Sequence, residues 1–224
     1  MHWLERWLFP PTCVITGTAT EQFDLQQTFI DKWQISPEIC PRCAEASPHG
    51  QICGLCLNSP PAFYRTQVAF KFDAELRDLI HQFKYAQHLH LSRLLAEQLA
   101  DRLDFQGVEA LIPIPLHTSR LRERGYNQAL ELARIISKQL NIPIVHGLTR
   151  QVATPSQTKL NAKQRRRNLK HAFAADGSQL GELRHIALID DVITTGATMQ
   201  SATKVLQKQQ PGLVVQAWAV AKTQ

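Results

Sequence analysis

The stretch His185-Ile186-Ala187-Leu188-Ile189-Asp190-Asp191-Val192-Ile193-Thr194-Thr195-Gly196-Ala197-Thr198-Met199 decides how the chain folds. Ile186, Ala187, Leu188 and Ile189 form a short apolar run, as expected of a parallel strand covered on both faces. Asp190 and Asp191 follow at the expected carboxyl end of that strand, where open α/β sheets place their ligands. Val192 and Ile193 lead into a hydroxyl-rich turn and the start of a helix. Gly196 lets the backbone approach closely, the threonine hydroxyls donate, and the free N–H groups of the helix start point at an anion. One corner therefore offers a phosphate cradle beside two acceptors suited to sugar hydroxyls, and a ribose 5-phosphate needs both. The bland alternative is a plain strand–turn–helix with an Asp cap, but a cap rarely needs two acids and three threonines together.

These residues resemble the binding signature of type I phosphoribosyltransferases: four apolar residues, two acids, two apolar residues, then Thr-Thr-Gly-x-Thr. Every position from 186 to 198 matches. The resemblance implies that Asp190 and Asp191 bind the ribose hydroxyls of phosphoribosyl pyrophosphate (PRPP). It also implies that the loop through Val192, Ile193, Thr194, Thr195, Gly196, Ala197 and Thr198 holds the 5-phosphate.

The chain has 224 residues, enough for one α/β core and a small appendage. Its hydrophobic fraction of 44% and charged fraction of 20% are those of a globular protein. The net charge of +6 favours anionic partners, nucleic acid and phosphorylated substrates among them, although a basic surface alone would give the same number. Residues 1–9 lack a long apolar run and Pro10-Pro11 stops them, so no export signal is expected. No transmembrane segment is expected either, and the expected location is cytoplasmic. Trp3, Leu4, Trp7 and Leu8 recur at helical spacing. That stripe either docks on its own domain or meets a membrane surface or a partner, which would make the protein peripheral to the inner membrane.

Cys40-Pro41-Arg42-Cys43 and Cys53-Gly54-Leu55-Cys56 are two CxxC pairs. Each resembles a zinc knuckle, and four thiolates make a closed tetrahedral structural site for Zn²⁺. Two disulfides or a redox CxxC are the alternatives, and cytosolic cysteines argue against the first. His49 lies between the pairs and reads as a solvated loop residue. Cys13 stands apart in Cys13-Val14-Ile15-Thr16 and is assigned no metal.

Pro60-Pro61 closes this module, giving an expected N-terminal segment of residues 1–60 and a sheet domain of residues 61–224. From Phe63 the pattern alternates through Val68, Phe70 and Phe72, a strand. Asp73 then caps a helix with Leu76, Leu79, Ile80 and Phe83, and a second helix carries Leu91, Leu94, Leu95, Leu99 and Leu103. His81, His88 and His90 have no i,i+4 pair and read as solvated. Ala110-Leu111-Ile112-Pro113-Ile114-Pro115 is a strand, followed by Arg120, Arg122 and Arg124 and by a helix with Leu130, Ala133, Ile136 and Leu140. Such arginines suit a departing pyrophosphate, with Arg122 and Arg124 the chosen donors. Residues 142–145 read as a short strand. The basic, apolar-poor span from Thr149 to Phe173 reads as a mobile segment, either a lid, a strip for a nucleic-acid backbone, or a solvated arm. A helix to about Gln209 and a final strand from Leu213 to Val220 complete the chain.

Over nearly its whole length the chain resembles the ComF family of bacterial competence-associated proteins. The two CxxC pairs resemble that family's zinc finger, and Phe83-Lys84-Tyr85 its motif closing the first helix. Ile112 through His117 with Arg120 through Gln128, and Thr154-Pro155-Ser156-Gln157 with Arg165-Arg166-Arg167-Asn168-Leu169, resemble its two further blocks. Thr16 departs, where relatives often carry a cysteine. The resemblance implies an α/β type I phosphoribosyltransferase fold with a small N-terminal zinc finger. In an enzyme, Mg²⁺ would bridge the sugar and pyrophosphate of PRPP, with Lys84 joining Arg122 and Arg124 at the departing pyrophosphate. The resemblance further implies single-stranded DNA as a partner in natural transformation, together with a competence helicase or an inner-membrane channel. Either the fold serves as a binding module, or it is an active Mg²⁺-dependent phosphoribosyltransferase on a nucleobase or amine that the sequence does not identify.

Overall fold

The computed structural model describes residues 11–20, 24–85, 88–152 and 172–223. Its strands are β1 (Arg65–Lys71), β2 (Ala110–Pro113), β3 (Leu148–Arg150), β4 (Phe173–Ala175), β5 (His185–Ile193) and β6 (Val214–Lys222). Its helices are α1 (Gln27–Trp33), α2 (Gly54–Asn58), α3 (Ala74–Tyr85), α4 (His90–Ala100), α5 (Thr118–Arg124), α6 (Gln128–Leu140), α7 (Gly177–Leu180) and α8 (Ala197–Gln209).

Four strands form a parallel sheet in the order β1-β6-β5-β2. The central strands β5 and β6 read as near-continuous apolar runs because both of their faces are covered. Strand alternation sorts their side chains into two cores. Ala187 and Ile189 belong to one, with Phe83, Leu95, Leu132, Ile136 and Trp218. Ile186 and Leu188 belong to the other, with Ile112, Phe173, Met199, Ala202 and Leu206. So α3, α4 and α6 cover one face and α8 the other. The architecture is the expected α/β one.

The helices form where apolar residues recur every three or four positions. In α3 the buried set is Leu76, Leu79, Ile80 and Phe83, as expected. In α6 it is Ala129, Leu132, Ala133 and Ile136, and Leu130 is only partly covered, so the stripe is shifted from the expected one. Leu103 is buried but lies beyond the end of α4.

Three expectations change in detail. The acid pair does not end its strand, because β5 pairs with β6 through Ile193↔Lys222. Residues 142–145 give a single parallel bridge, Leu111↔Ile144, since Pro143 has no N–H to extend the ladder. The basic segment has structured ends, where β3 and β4 pair antiparallel through Arg150↔Phe173. The Thr154-to-Leu169 blocks lie outside the described residues, and so do Trp3, Leu4, Trp7 and Leu8.

The N-terminal part contributes to the sheet's own cores. Cys13, Leu25, Ile30 and Trp33 join the first, and Ala44 joins the second. Trp33 meets the Phe70 ring edge-on at 5.7 Å, beside the Gln34↔Phe70 bridge. Among the described residues, no helix is long and apolar enough to cross a membrane.

Trp33 is fully buried, yet its indole Nε1 has no hydrogen-bond partner among the described residues. Trp33→Ala is expected to lower unfolding free energy by about 3–5 kcal/mol through the cavity it leaves. Trp33→Phe, which removes the unsatisfied donor, costs far less. Urea denaturation of both variants checks the order.

Candidate ligand site and metal centre

Because neighbouring strand residues face opposite ways, Asp191 continues the face of Ile189, and Asp190 continues the face of Leu188. Asp191 is 6% exposed and pairs with the Lys84 ammonium at 2.9 Å. Its backbone N–H donates to Asp190 Oδ1 at 2.9 Å. Burial, and then the Asp191 carboxylate alongside, push the Asp190 carboxyl up to about 7, against the pull of Lys84 and Arg150.

Beyond Ile193 the chain turns into α8 through Gly196, whose φ of 71° lies in the left-handed region that suits glycine. A Cβ there would stand 3.5 Å from the Phe63 ring. Among the described residues no side chain caps the start of α8, which leaves its first N–H groups facing an anion site.

The turn and the two acids border one cavity of about 370 Å³. Lys84, Tyr85, Arg120, Arg124 and Arg150 line it as well. Its walls therefore bring cations, two carboxylates and a helix start within reach of one small molecule.

The expected Phe83-Lys84-Tyr85 and Arg120-to-Gln128 motifs lock together. The Tyr126 hydroxyl donates to the Phe83 carbonyl. Gln128 Nε2 donates to the Lys84 carbonyl at 3.4 Å. Arg124 donates to the Tyr85 hydroxyl at 3.0 Å and to Gln128 Oε1 at 3.0 Å, and its guanidinium lies 4.8 Å from the Tyr85 ring centroid. Asn127 caps α6 and donates to the Ile114 carbonyl at 3.1 Å. The end of α3 is thereby held where Lys84 reaches Asp191.

Of the site residues named from sequence, Lys84, Arg124, Asp190, Asp191 and residues 192–198 all border the cavity. Arg122 does not; it is exposed on α5, and Arg120 lines the cavity instead. The sequence reading held Arg150 only as part of the basic Thr149-to-Phe173 span and did not name Thr223, and both line the cavity as well. Arg150 packs over Phe173 at 5.3 Å. Burial lowers its guanidinium pKa, Asp190 opposes that, and Arg120 and Arg124 add to the lowering. Only the β3–β4 pairing puts it here, and a three-residue strand leaves little periodic signal.

Cys40, Cys43, Cys53 and Cys56 bring their sulfurs within 4.8 Å of one another. The Cys43 and Cys53 sulfurs are 3.7 Å apart, and four sulfurs around a tetrahedral ion at about 2.3 Å would stand about 3.8 Å apart. The arrangement can hold a metal. Burial pushes the Cys43 thiol up to about 11 and raises that of Cys56 as well, with neighbouring cysteines adding to the rise at Cys56. Cys40 moves the other way, to about 7, because backbone N–H groups led by that of Cys53 outweigh its burial. His49 is exposed and stands outside the group, and so do His81, His88 and His90. Cys13 is buried apart from it; hydrogen bonds led by Thr16 outweigh burial and lower its thiol.

No family model matches the chain. Competence protein F of Haemophilus influenzae is 36% identical over 194 residues, 82% of this chain and 84% of that protein. DNA utilization protein YhgH of Escherichia coli K12 is 32% identical over 194 residues, 83% of this chain and 84% of that protein. Competence protein ComFC of Bacillus subtilis is 23% identical over 182 residues, 77% of this chain and 73% of that protein. By these relatives and by its parallel sheet, acid-pair corner and four-cysteine module, the chain belongs to the ComF family and has that family's phosphoribosyltransferase-like fold.

Proposed function

We propose that the cavity binds PRPP or a related phosphoribosyl compound, and that the protein serves DNA utilization in natural transformation. The observation that carries the first part is the convergence of both acids, the 194–198 turn and four cationic side chains on one cavity of about 370 Å³. Asp190 and Asp191 accept from the ribose hydroxyls. The turn and the start of α8 hold the 5-phosphate. Lys84, Arg120, Arg124 and Arg150 face the pyrophosphate, where guanidinium groups give charge-assisted hydrogen bonds. The crowded carboxylates also suit a hard divalent cation, and Mg²⁺ would neutralise charge on the polyphosphate. The four thiolates would hold Zn²⁺, whose tetrahedral preference their spacing meets.

The names of the relatives above, competence and DNA utilization proteins, support the second part. The charge of +6 and the run Arg165-Arg166-Arg167 favour contact with a single-stranded DNA backbone. A second reading is phosphoribosyl transfer itself. It is favoured by three guanidinium groups lining the same cavity as the acids, since a departing pyrophosphate is stabilised by such donors.

Calorimetry with Mg²⁺-PRPP tests the site. The Asp190→Asn, Asp191→Asn double variant is expected to bind about 1000-fold more weakly, from two lost hydrogen bonds of about 2 kcal/mol each. Equal affinity of variant and wild type would refute the assignment.

The Asp190 carboxyl also makes stability depend on pH. Its folded value, about 7, lies above the ordinary 3.8, so the folded state holds a proton that the unfolded chain has lost. That stabilisation is complete below the ordinary value and disappears as the pH rises through about 7. Melting temperature is expected to fall across this window in wild type and to fall less in Asp190→Asn. Ligand affinity, which needs the ionised group, rises over the same window.

For DNA, the logarithm of the single-strand binding constant is expected to fall linearly with the logarithm of salt concentration. Replacing Arg165, Arg166 and Arg167 by Ala should make that slope shallower by about 2, at about 0.7 per phosphate contact. Fluorescence anisotropy over a salt series measures both slopes.

A further inference from the structure

We propose that the four-cysteine module positions the phosphate-binding turn through Lys222 and Phe63, so that opening the module loosens the turn. The ligand named for that turn rests on the phosphoribosyl reading above; the mechanical coupling does not.

Lys222 ends β6 and is 2% exposed. A buried ammonium needs partners, and among the described residues this one finds two. It donates to Glu45 Oε1 at 2.6 Å and to the Thr223 carbonyl. Glu45 belongs to the cysteine loop, and its own carbonyl accepts the Cys40 N–H at 2.7 Å. The carboxylate is therefore where Lys222 needs it only while that loop is closed.

The other end of Lys222 leads to the ligand cavity. Thr223 lines the cavity, and its N–H donates to the Ile193 carbonyl at 3.1 Å. Ile193 immediately precedes the turn and stands opposite Lys222 in the sheet register. Glu45, Lys222, Thr223 and Ile193 thus form an unbroken path from the chelating loop to the turn.

A second path runs through the segment that follows the module. The Phe63 ring is buried beneath Gly196, and the Ala62 N–H donates to Gln200 Oε1, in the first turn of α8, at 2.6 Å. The Pro41-Arg42 corner is fastened to β1, since Thr66 donates its N–H to the Pro41 carbonyl at 3.0 Å and its hydroxyl to the Arg42 carbonyl at 2.7 Å. Cysteine loop, sheet end and turn are held together by named contacts on both paths.

Four thiolates cannot remain gathered without a cation, so metal loss lets the loop open and takes Glu45 with it. Lys222 then keeps a buried charge without its carboxylate, and the Thr223–Ile193 edge that it braces loosens.

The test uses full-length protein, hydrogen–deuterium exchange and calorimetry with Mg²⁺-PRPP. Exchange is followed in residues 193–200, with α6 as the internal control, before and after a chelator strips zinc. Lys222→Met and Phe63→Leu are followed with zinc retained, as checked by native mass spectrometry. Stripping and both variants should raise exchange in 193–200 and leave α6 unchanged. Each variant should weaken PRPP binding by about tenfold, an ordinary size for coupling between sites. Two variants on separate paths keep the test open if one of them fails to fold. Unchanged exchange in 193–200 after stripping and in the folded variants would overturn the inference, whatever PRPP does. Wild type that fails to bind PRPP would overturn the phosphoribosyl reading, and the exchange results would still decide the coupling.

Discussion

Two carboxylates side by side on a buried strand dominate this molecule. Along β5 they project to opposite faces of the sheet, so no single neighbour can satisfy both. Lys84 arrives from α3 and pairs with Asp191, and Arg150 approaches Asp190 from the small β3–β4 ladder. Neutralisation is incomplete, as the raised Asp190 carboxyl shows. A strand that carried such a pair for structure alone would be a poor solution, because buried like charges oppose folding. The unresolved charge agrees with the role proposed for the pair, accepting from the hydroxyls of a ligand.

The surrounding contacts follow from that need. Lys84 is the second-last residue of α3, where a helix end frays unless it is held. The Tyr126 hydroxyl and the Gln128 amide take up the carbonyls of Phe83 and Lys84, and Arg124 stacks on Tyr85. Two motifs about forty residues apart in sequence act as one part, and its product is the position of a single ammonium group. On the other side of the sheet, Gly196 has a left-handed backbone that disfavours a larger residue, and the Phe63 ring lies in contact distance of it.

Much of this was readable from the sequence, for identifiable reasons. The strand at β5 announces itself by an apolar run, and the helices α3 and α6 by their spacing, because burial imposes those periods. The cysteine pairs are legible because a chelate loop needs fixed spacing, and the structure does gather all four sulfurs. Arg120 and Arg122 could not be told apart in the same way. They are two residues apart on one short helix, and which of them faces the cavity depends on how α5 is set by its Gly125 end. Arg150 and Thr223 were illegible for a different reason. Each enters the site through a tertiary pairing, β3 with β4 and Thr223 with Ile193, that no local pattern records. The expected strand at residues 142–145 shrank to one bridge because a proline sits in it.

That proline has a consequence for the molecule among its own copies. A parallel sheet with an open flank is a template on which another chain can add a strand. Beyond β2 the flank is formed by Pro143 and its neighbours; Pro143 gives its carbonyl inward to the Leu111 N–H and has no N–H with which to extend the ladder, so the segment makes one bridge and not a strand. At the opposite flank, the Gln34↔Phe70 bridge lays a foreign piece of chain against β1. Both borders of the sheet are thus blunted, and its concentrated apolar strands can stay in one molecule without recruiting those of the next.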